Sequence, residues 1–264
     1  MSIDLNGDEM NLDLEKALVY ISRDPAWVNK LLAGSGILFA MYGIFIIPIL
    51  LYAFSKSGVL FAISFITGFL ISVFLCLIFS GFLAETCNKR INYNNSILPD
   101  WKNLGTMLVS GIKYFLGYFL YSVPILLLSF VFLFLITFWI GSPSAFDFQE
   151  VFIFILMVVL GATFLSCIIA YLVFCPLMMA NFYKDLKILS FVNFKKAWSM
   201  LRGHAGSYFV VLVIFLAFSF LLQTVVSILA ISIVGIIFIP VVYFYFYLVI
   251  IEIVAQFVLE TKQE

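Results

Sequence analysis

Two long, largely apolar stretches near the end of the sequence decide the fold: YFVVLVIFLAFSFLLQTVVSILA at residues 208–230 and IIFIPVVYFYFYLVIIEIVAQF at residues 236–257. Each is long enough to cross the roughly 30 Å hydrocarbon core of a bilayer as a helix. The short segment 231–235 separates them and Pro240 follows closely, so a tight turn is predicted rather than one long helix. The two stretches are therefore expected to be consecutive membrane spans.

The same pattern extends over the chain of 264 residues, of which 65% are hydrophobic and 11% are charged. Soluble domains carry about 25% charged residues, so this composition excludes a water-soluble globular protein. The predicted spans are 31–54, 58–84, 113–140, 151–183, 208–230 and 236–257. The fourth is longer than the membrane is thick, so it must tilt, kink near Pro176 or extend past the headgroups.

The distribution of basic residues predicts the orientation. Fourteen Lys and Arg balance fourteen Asp and Glu, and this neutral total gives no reason to expect nucleic acid as a partner. Thirteen of the basic residues lie before or at the start of spans one, three and five or in the C-terminal tail, whereas Lys56 alone lies in the opposite loops. Since Lys and Arg collect on the cytoplasmic side, both termini are expected to be cytoplasmic.

A cytoplasmic segment, 191–203, has the spacing of an amphipathic helix. Its apolar residues are Phe191, Phe194, Trp198 and Leu201, and its basic residues are Lys195, Lys196 and Arg202. Similar patterns precede span one (Leu14, Ala17, Leu18, Ile21) and span three (Trp101, Leu104, Leu108). Such helices are expected to lie in the membrane interface, where Trp27, Trp101 and Trp198 would act as anchors together with the basic residues.

These patterns predict an all-α, polytopic bundle of six transmembrane helices with three cytoplasmic interfacial helices. We expect a single membrane domain, 1–264, that begins with a flexible acidic segment, 1–10. Within it, each interfacial helix followed by two spans forms a unit, and the three units are 11–84, 98–183 and 190–260.

Short motifs along the chain carry a resemblance to a known family. They are Leu14-Glu15-Lys16-Ala17, Asp24-Pro25-Ala26-Trp27, Leu98-Pro99-Asp100-Trp101, Gly111-Ile112-Lys113 and Ala255-Gln256. The chain resembles a domain-of-unknown-function family of bacterial and archaeal polytopic membrane proteins, which implies the cytoplasmic membrane of a prokaryote. Residues 194–198 are also distantly similar to the membrane domain attached to some glycerophosphodiester phosphodiesterases. No soluble catalytic segment accompanies them, so that activity is not implied.

Glu252 is the acidic residue set well inside a predicted span. A charged group there is expected to face the bundle interior and to find a partner. One interpretation is a polar site, with Gln256 one turn away, for a cation, a proton or a lipid headgroup. The other is a packing carboxyl bonded to a neighbouring tyrosine, for which Tyr118 and Tyr121 are the best candidates by depth. Gln223, toward the outer leaflet, is expected to bond to a neighbouring helix.

No catalytic constellation is visible in the sequence. It has no carboxylate pair, no Ser or Cys beside a His, and no phosphate-binding glycine loop. We therefore expect a non-enzymatic accessory protein, without metal or cofactor, that binds membrane lipids or other membrane proteins, or forms a homo-oligomer. The alternative is a small-solute or ion transporter that uses Glu252.

Overall fold

The computed structural model describes residues 13–93, 97–140 and 148–261, and every regular element in these ranges is helical. The α-helices are α1 (Leu14–Val19), α2 (Trp27–Gly43), α3 (Ile46–Ser55), α4 (Gly58–Tyr93), α5 (Leu104–Ile140), α6 (Phe148–Asp185), α7 (Phe194–Gly203), α8 (Ala205–Leu229) and α9 (Ile233–Glu260). Short 3₁₀ segments precede α2 and α7, at Ile21–Arg23 and Ile188–Val192. The N-terminal segment predicted to be flexible, 1–10, lies outside the described residues.

Six helical stretches in the described ranges are long and apolar enough to cross a membrane, which confirms the prediction of six such helices. They are Trp27–Ser55, Gly58–Tyr93, Leu104–Thr137, Phe154–Asp185, Ala205–Leu229 and Val234–Glu260. Several are longer than predicted, because helical hydrogen bonding continues past the first charged residue. The second extends beyond the predicted end at 84 as far as Tyr93, and this extension carries Arg90.

The first span is broken in its middle by a proline. Pro48 lacks an N–H, and its ring clashes with the carbonyl four residues earlier, that of Ile44. Accordingly α2 ends at Gly43 and α3 begins at Ile46. The span is therefore two helices joined at a bend.

Three central helices are much longer than a membrane is thick. α4, α5 and α6 contain 36, 37 and 38 residues. At 1.5 Å per residue they are about 54–57 Å long, against roughly 30 Å of hydrocarbon. Pro124 and Pro176 lie inside α5 and α6 without ending them. The fourth predicted span therefore belongs to a continuous helix that exceeds the bilayer thickness, and so do the second and third.

Packing is concentrated at one end of the bundle, which we call the basic end. It comprises residues 78–93 of α4, 104–122 of α5, 171–185 of α6 and 244–260 of α9, with α1 and α7 beside them. Its core includes the fully buried Phe82, Met107, Leu177 and Phe244. Toward the other end most apolar side chains are exposed, as in α3 and in residues 154–172 of α6. Lipid tails solvate such side chains, so close packing is needed chiefly where water would reach them.

Two glycines let α4 and α5 touch backbone to backbone. A Cβ atom on Gly81 would overlap the Met107 carbonyl and lie 2.9 Å from the Gly111 nitrogen. One on Gly111 would overlap the Leu77 carbonyl. Since only glycine fits at such an approach, these two positions fix the contact of α4 with α5.

The turn between α8 and α9 confirms the predicted break at 231–235. α8 ends at Leu229, and Ser232 caps α9 by accepting a 2.9 Å hydrogen bond from the Gly235 backbone nitrogen. A Cβ on Gly235 would overlap the Leu229 backbone carbonyl and lie 2.7 Å from the Ser232 hydroxyl oxygen, so the tight turn depends on that glycine.

Two of the three predicted amphipathic segments are separate helices in the structure, and one is not. The first is the short α1 followed by a 3₁₀ turn, and the last is α7, which begins at Phe194. Phe191 lies outside α7, in the preceding 3₁₀ segment, and is fully buried. The prediction of a separate helix before span three is wrong, because Leu104 and Leu108 belong to the first turns of α5.

Candidate functional site

Glu252 is fully buried in α9, and its partner is Arg90 of α4. The Arg90 Nε lies 2.9 Å from one carboxylate oxygen and 3.1 Å from the other, and Nη2 donates to the second at 3.0 Å. Such a forked, charge-assisted arrangement is the strongest that an arginine makes with a carboxylate. The two opposite charges cancel, so the pair adds no net charge to the interior of the basic end.

Gln256 connects the ion pair of Arg90 and Glu252 to Asp13, the residue that precedes α1. Its Nε2 donates to Glu252 at 3.3 Å and to the Asp13 carbonyl at 3.3 Å, while its Oε1 accepts from the Asp13 backbone nitrogen at 3.0 Å. The Asp13 side chain also caps α1 by accepting a hydrogen bond from the Lys16 backbone nitrogen. Gln256 therefore lies against both Glu252 and the residue that precedes α1.

Tyr20 is a further buried polar residue beside the ion pair of Arg90 and Glu252. It is 1% exposed, and its hydroxyl has no hydrogen-bond partner among the described residues. Burial raises the pKa of this phenol well above its ordinary value, and the negative charge of Glu252 raises it further. Tyr20 therefore stays neutral next to the ion pair.

The expected hydrogen bond from Tyr118 or Tyr121 to Glu252 is wrong. The Tyr121 hydroxyl donates to the Tyr171 carbonyl of α6 at 2.8 Å, and Tyr118 packs edge to face on the Tyr171 ring. The two sites also lie at different levels of the bundle. Cys87 and Asn88 of α4 contact Ile251 and Tyr183, whereas Tyr121 contacts Tyr171, twelve residues earlier in α6 and so about 18 Å away along its axis.

The predicted second span ends at 84, which leaves Arg90 in a loop instead of in the buried part of α4. A signal was present: Phe79, Leu83, Cys87 and Ile91 continue the helical spacing through the charged residues, and all four are buried. Extending α4 along this spacing turns Arg90 inward.

A second buried charge cluster joins two of the short motifs. Lys30 is 7% exposed, and its Nζ lies 2.8 Å from Asp24, 2.6 Å from the Leu98 carbonyl and 3.0 Å from Asp100. Asp24 also accepts from the Leu98 nitrogen at 2.9 Å. The hydrogen bond from Lys30 and its positive charge hold the pKa of the Asp100 carboxyl below its ordinary value.

The two predicted tryptophan anchors beside this cluster pack into the protein. Trp101 stacks on Phe82 with ring centroids 4.1 Å apart and donates to the Lys30 carbonyl at 3.2 Å. Trp27 is half-buried against the same core. Trp101 in particular is a contact between α4 and the segment that leads into α5.

Basic and aromatic side chains share the exposed surface of α7. Arg202 lies over the Trp198 ring, 5.1 Å from its centroid, and Trp198 is 45% exposed. Trp198 and Phe194 both pack on Phe174 of α6. Lys195 is exposed, whereas Lys196 is paired with Asp185 at 2.8 Å. This surface combines cations with half-exposed aromatic rings.

Comparison with known proteins identifies the family. No curated protein and no solved structure matches the chain. The resemblance of residues 194–198 to a phosphodiesterase-associated membrane domain is not supported by any comparison. A family model matches residues 64–231, which is more than half of the sequence and includes α5, α6, α7, α8 and most of α4. The chain therefore belongs to the family described as protein of unknown function (DUF4013).

Proposed function

We propose that this protein is a non-enzymatic accessory protein of a prokaryotic cytoplasmic membrane, and that it binds anionic lipid headgroups through α7. The observation that carries the proposal is the stacking of Arg202 on the half-exposed Trp198, next to the exposed Lys195. An indole prefers the region between hydrocarbon and headgroups. A cation held against it is then positioned at the level of lipid phosphates.

In this proposal α7 is an interfacial helix. Its Ala197 is buried against the bundle, and Asn193 caps its first turn by accepting from the Lys196 nitrogen at 3.1 Å. The salt bridge of Lys196 to Asp185 fixes α7 to the end of α6. Lys195 and Arg202 are thereby left at the surface.

Removing the two exposed cations of α7 is expected to weaken retention of anionic lipid about thirtyfold. Each contributes about 1 kcal/mol of attraction to an anionic leaflet, and about 1.4 kcal/mol is a factor of ten. The double variant Lys195→Gln/Arg202→Gln would be placed in nanodiscs of phosphatidylglycerol and phosphatidylcholine. Native mass spectrometry would then count the phosphatidylglycerol that remains bound after extraction.

The matched control removes one lysine and one arginine elsewhere near the basic end. Arg23 and Lys102 are both exposed, and they lie before α2 and before α5. Arg23→Gln/Lys102→Gln is expected to retain nearly as much phosphatidylglycerol as the wild type. An equal loss in both double variants would show that overall charge, and not α7, holds the lipid. Co-purified protein in place of lipid would favour a partner-binding role.

The proposal also requires the basic end to face the cytoplasm. Reporter fusions at Ser57 and Ser144 are expected to be translocated, and one at Glu264 is expected to be cytoplasmic. A translocated signal at Glu264 would overturn both this topology and the contact of α7 with the anionic leaflet.

Among the residues that the structure describes, no contact favours the transporter alternative. Glu252 would have to bind or relay a cation, but Arg90 already neutralises its carboxylate through a forked hydrogen bond. Substrate-dependent flux in proteoliposomes would overturn the non-enzymatic binding role in favour of transport.

A further inference from the structure

One face of α8 has a polar group exposed at the surface of a membrane-length helix. α8 packs against α9 and, near its start, against α7. Gln223 lies on an exposed face, and its amide makes no hydrogen bond within the described residues. A shallow groove of about 320 Å³ runs along this face, lined by Phe220, Gln223, Thr224, Ser227, Ile228 and Ile231.

The other polar groups on this face are already satisfied. The Thr224 hydroxyl donates to the Phe220 carbonyl at 2.9 Å, and the Ser227 hydroxyl donates to the Gln223 carbonyl at 2.8 Å. Hydroxyls that bond to their own helix can face lipid at little cost. Among the polar side chains that line the groove, Gln223 is therefore the one whose hydrogen-bonding groups are unpaired. Its amide has two N–H donors and a carbonyl acceptor.

The position of Gln223 along α8 puts this amide within the acyl chains. It precedes the last helical residue, Leu229, by six positions, or about 9 Å along the axis. The turn beyond it is apolar apart from Ser232, and Ile231 is 86% exposed. Lipid tails offer no hydrogen bond, so an exposed amide at this depth is stabilised when it meets another polar side chain.

We propose that a second copy of this chain docks on this face of α8, and that the two Gln223 amides bond to each other. Two copies inserted in the same direction and related by a twofold axis along the membrane normal hold Gln223 at the same depth. An amide is both donor and acceptor, so it is complementary to its own copy. The small Ser227 allows the two helices to approach closely.

Disulfide trapping at Ser227 tests the proposal. The exposed cysteines, Cys76 and Cys167, would first be changed to alanine. Ser227→Cys would then be added, and the purified protein in liposomes would be oxidised with copper phenanthroline. The expected product is a covalent dimer. Adding Gln223→Leu is expected to reduce the dimer roughly tenfold while the melting temperature stays near that of the parent.

Ser166→Cys in the same background is the matched control. Ser166 is exposed on α6, and its hydroxyl bonds to the Ala162 carbonyl just as that of Ser227 bonds to its own helix. It is expected to give no dimer. The proposal is overturned if Ser227→Cys gives no more dimer than Ser166→Cys, or if Gln223→Leu leaves the yield unchanged. The proposal is also overturned if the protein stays monomeric in pure liposomes but is cross-linked to another protein in native membranes. The partner on this face would then be that protein and not a second copy of the chain.

Discussion

Gly111→Ala is expected to prevent α5 from packing against α4. The added methyl group would overlap the Leu77 carbonyl and approach the Leu77 Cα to 3.1 Å. Both atoms belong to the backbone, so no side-chain rotation relieves the clash and the two helices must separate. Inserting one methylene into an ordinary core costs about 1–3 kcal/mol, so we expect a loss above about 4 kcal/mol here. Thermal unfolding in detergent would measure it.

Gly36→Ala is the control for this experiment. Gly36 lies in the interior of α2, and a Cβ there would meet no atom within 4 Å. Alanine stabilises an exposed helical position by up to about 1 kcal/mol relative to glycine. The melting temperature of this variant should therefore be unchanged or higher. A Gly111→Ala variant as stable as Gly36→Ala would mean that α4 and α5 do not touch at Gly111.

Arg90→Met is expected to cost about 3–5 kcal/mol, because it leaves the fully buried Glu252 without its cation. Methionine keeps much of the apolar volume of the side chain, so the loss reports mainly on the charge. The same thermal unfolding measurement, with the yield of folded protein, would record it.

A second change separates this charge effect from a packing defect. Adding Glu252→Leu to Arg90→Met removes both charges together, and replacing a whole buried pair by apolar residues is often neutral. The double variant is therefore expected to regain most of the lost stability. A double variant that is less stable than Arg90→Met alone would show that the unpaired charge of Glu252 is not the main cause of the loss.

The membrane-length helices could be predicted because hydropathy is a local property. The stretch at 208–230, for example, differs from α8 by only a few residues at its ends. The turn at 231–235 was likewise predictable, because it depends on neighbouring residues such as Ser232 and Gly235. The repeated unit of 11–84, 98–183 and 190–260 stays a prediction.

The partner of Glu252 could not be predicted in this way. Arg90 and Glu252 lie 162 positions apart, and their meeting depends on how α4 packs on α9. Hydropathy gives the depth of a side chain but not the direction in which its helix turns it. Residue counting from the ends of the predicted spans also gives depth only approximately. It brings Tyr118 and Tyr121 to the level of Glu252, whereas Tyr121 bonds to the Tyr171 carbonyl, twelve residues before Tyr183 in α6.

The long separation of these partners has a consequence for biosynthesis. A ribosome adds about 5–20 residues per second, so Arg90 is made roughly 8–32 s before Glu252. Until α9 follows, water and lipid headgroups are the favourable surroundings for its guanidinium. Asp13 and Gln256 are separated further still, by 243 positions. The nascent chain therefore completes this buried ion pair only once α9 has been made, and α1 can be bound in place only after Gln256 has been added.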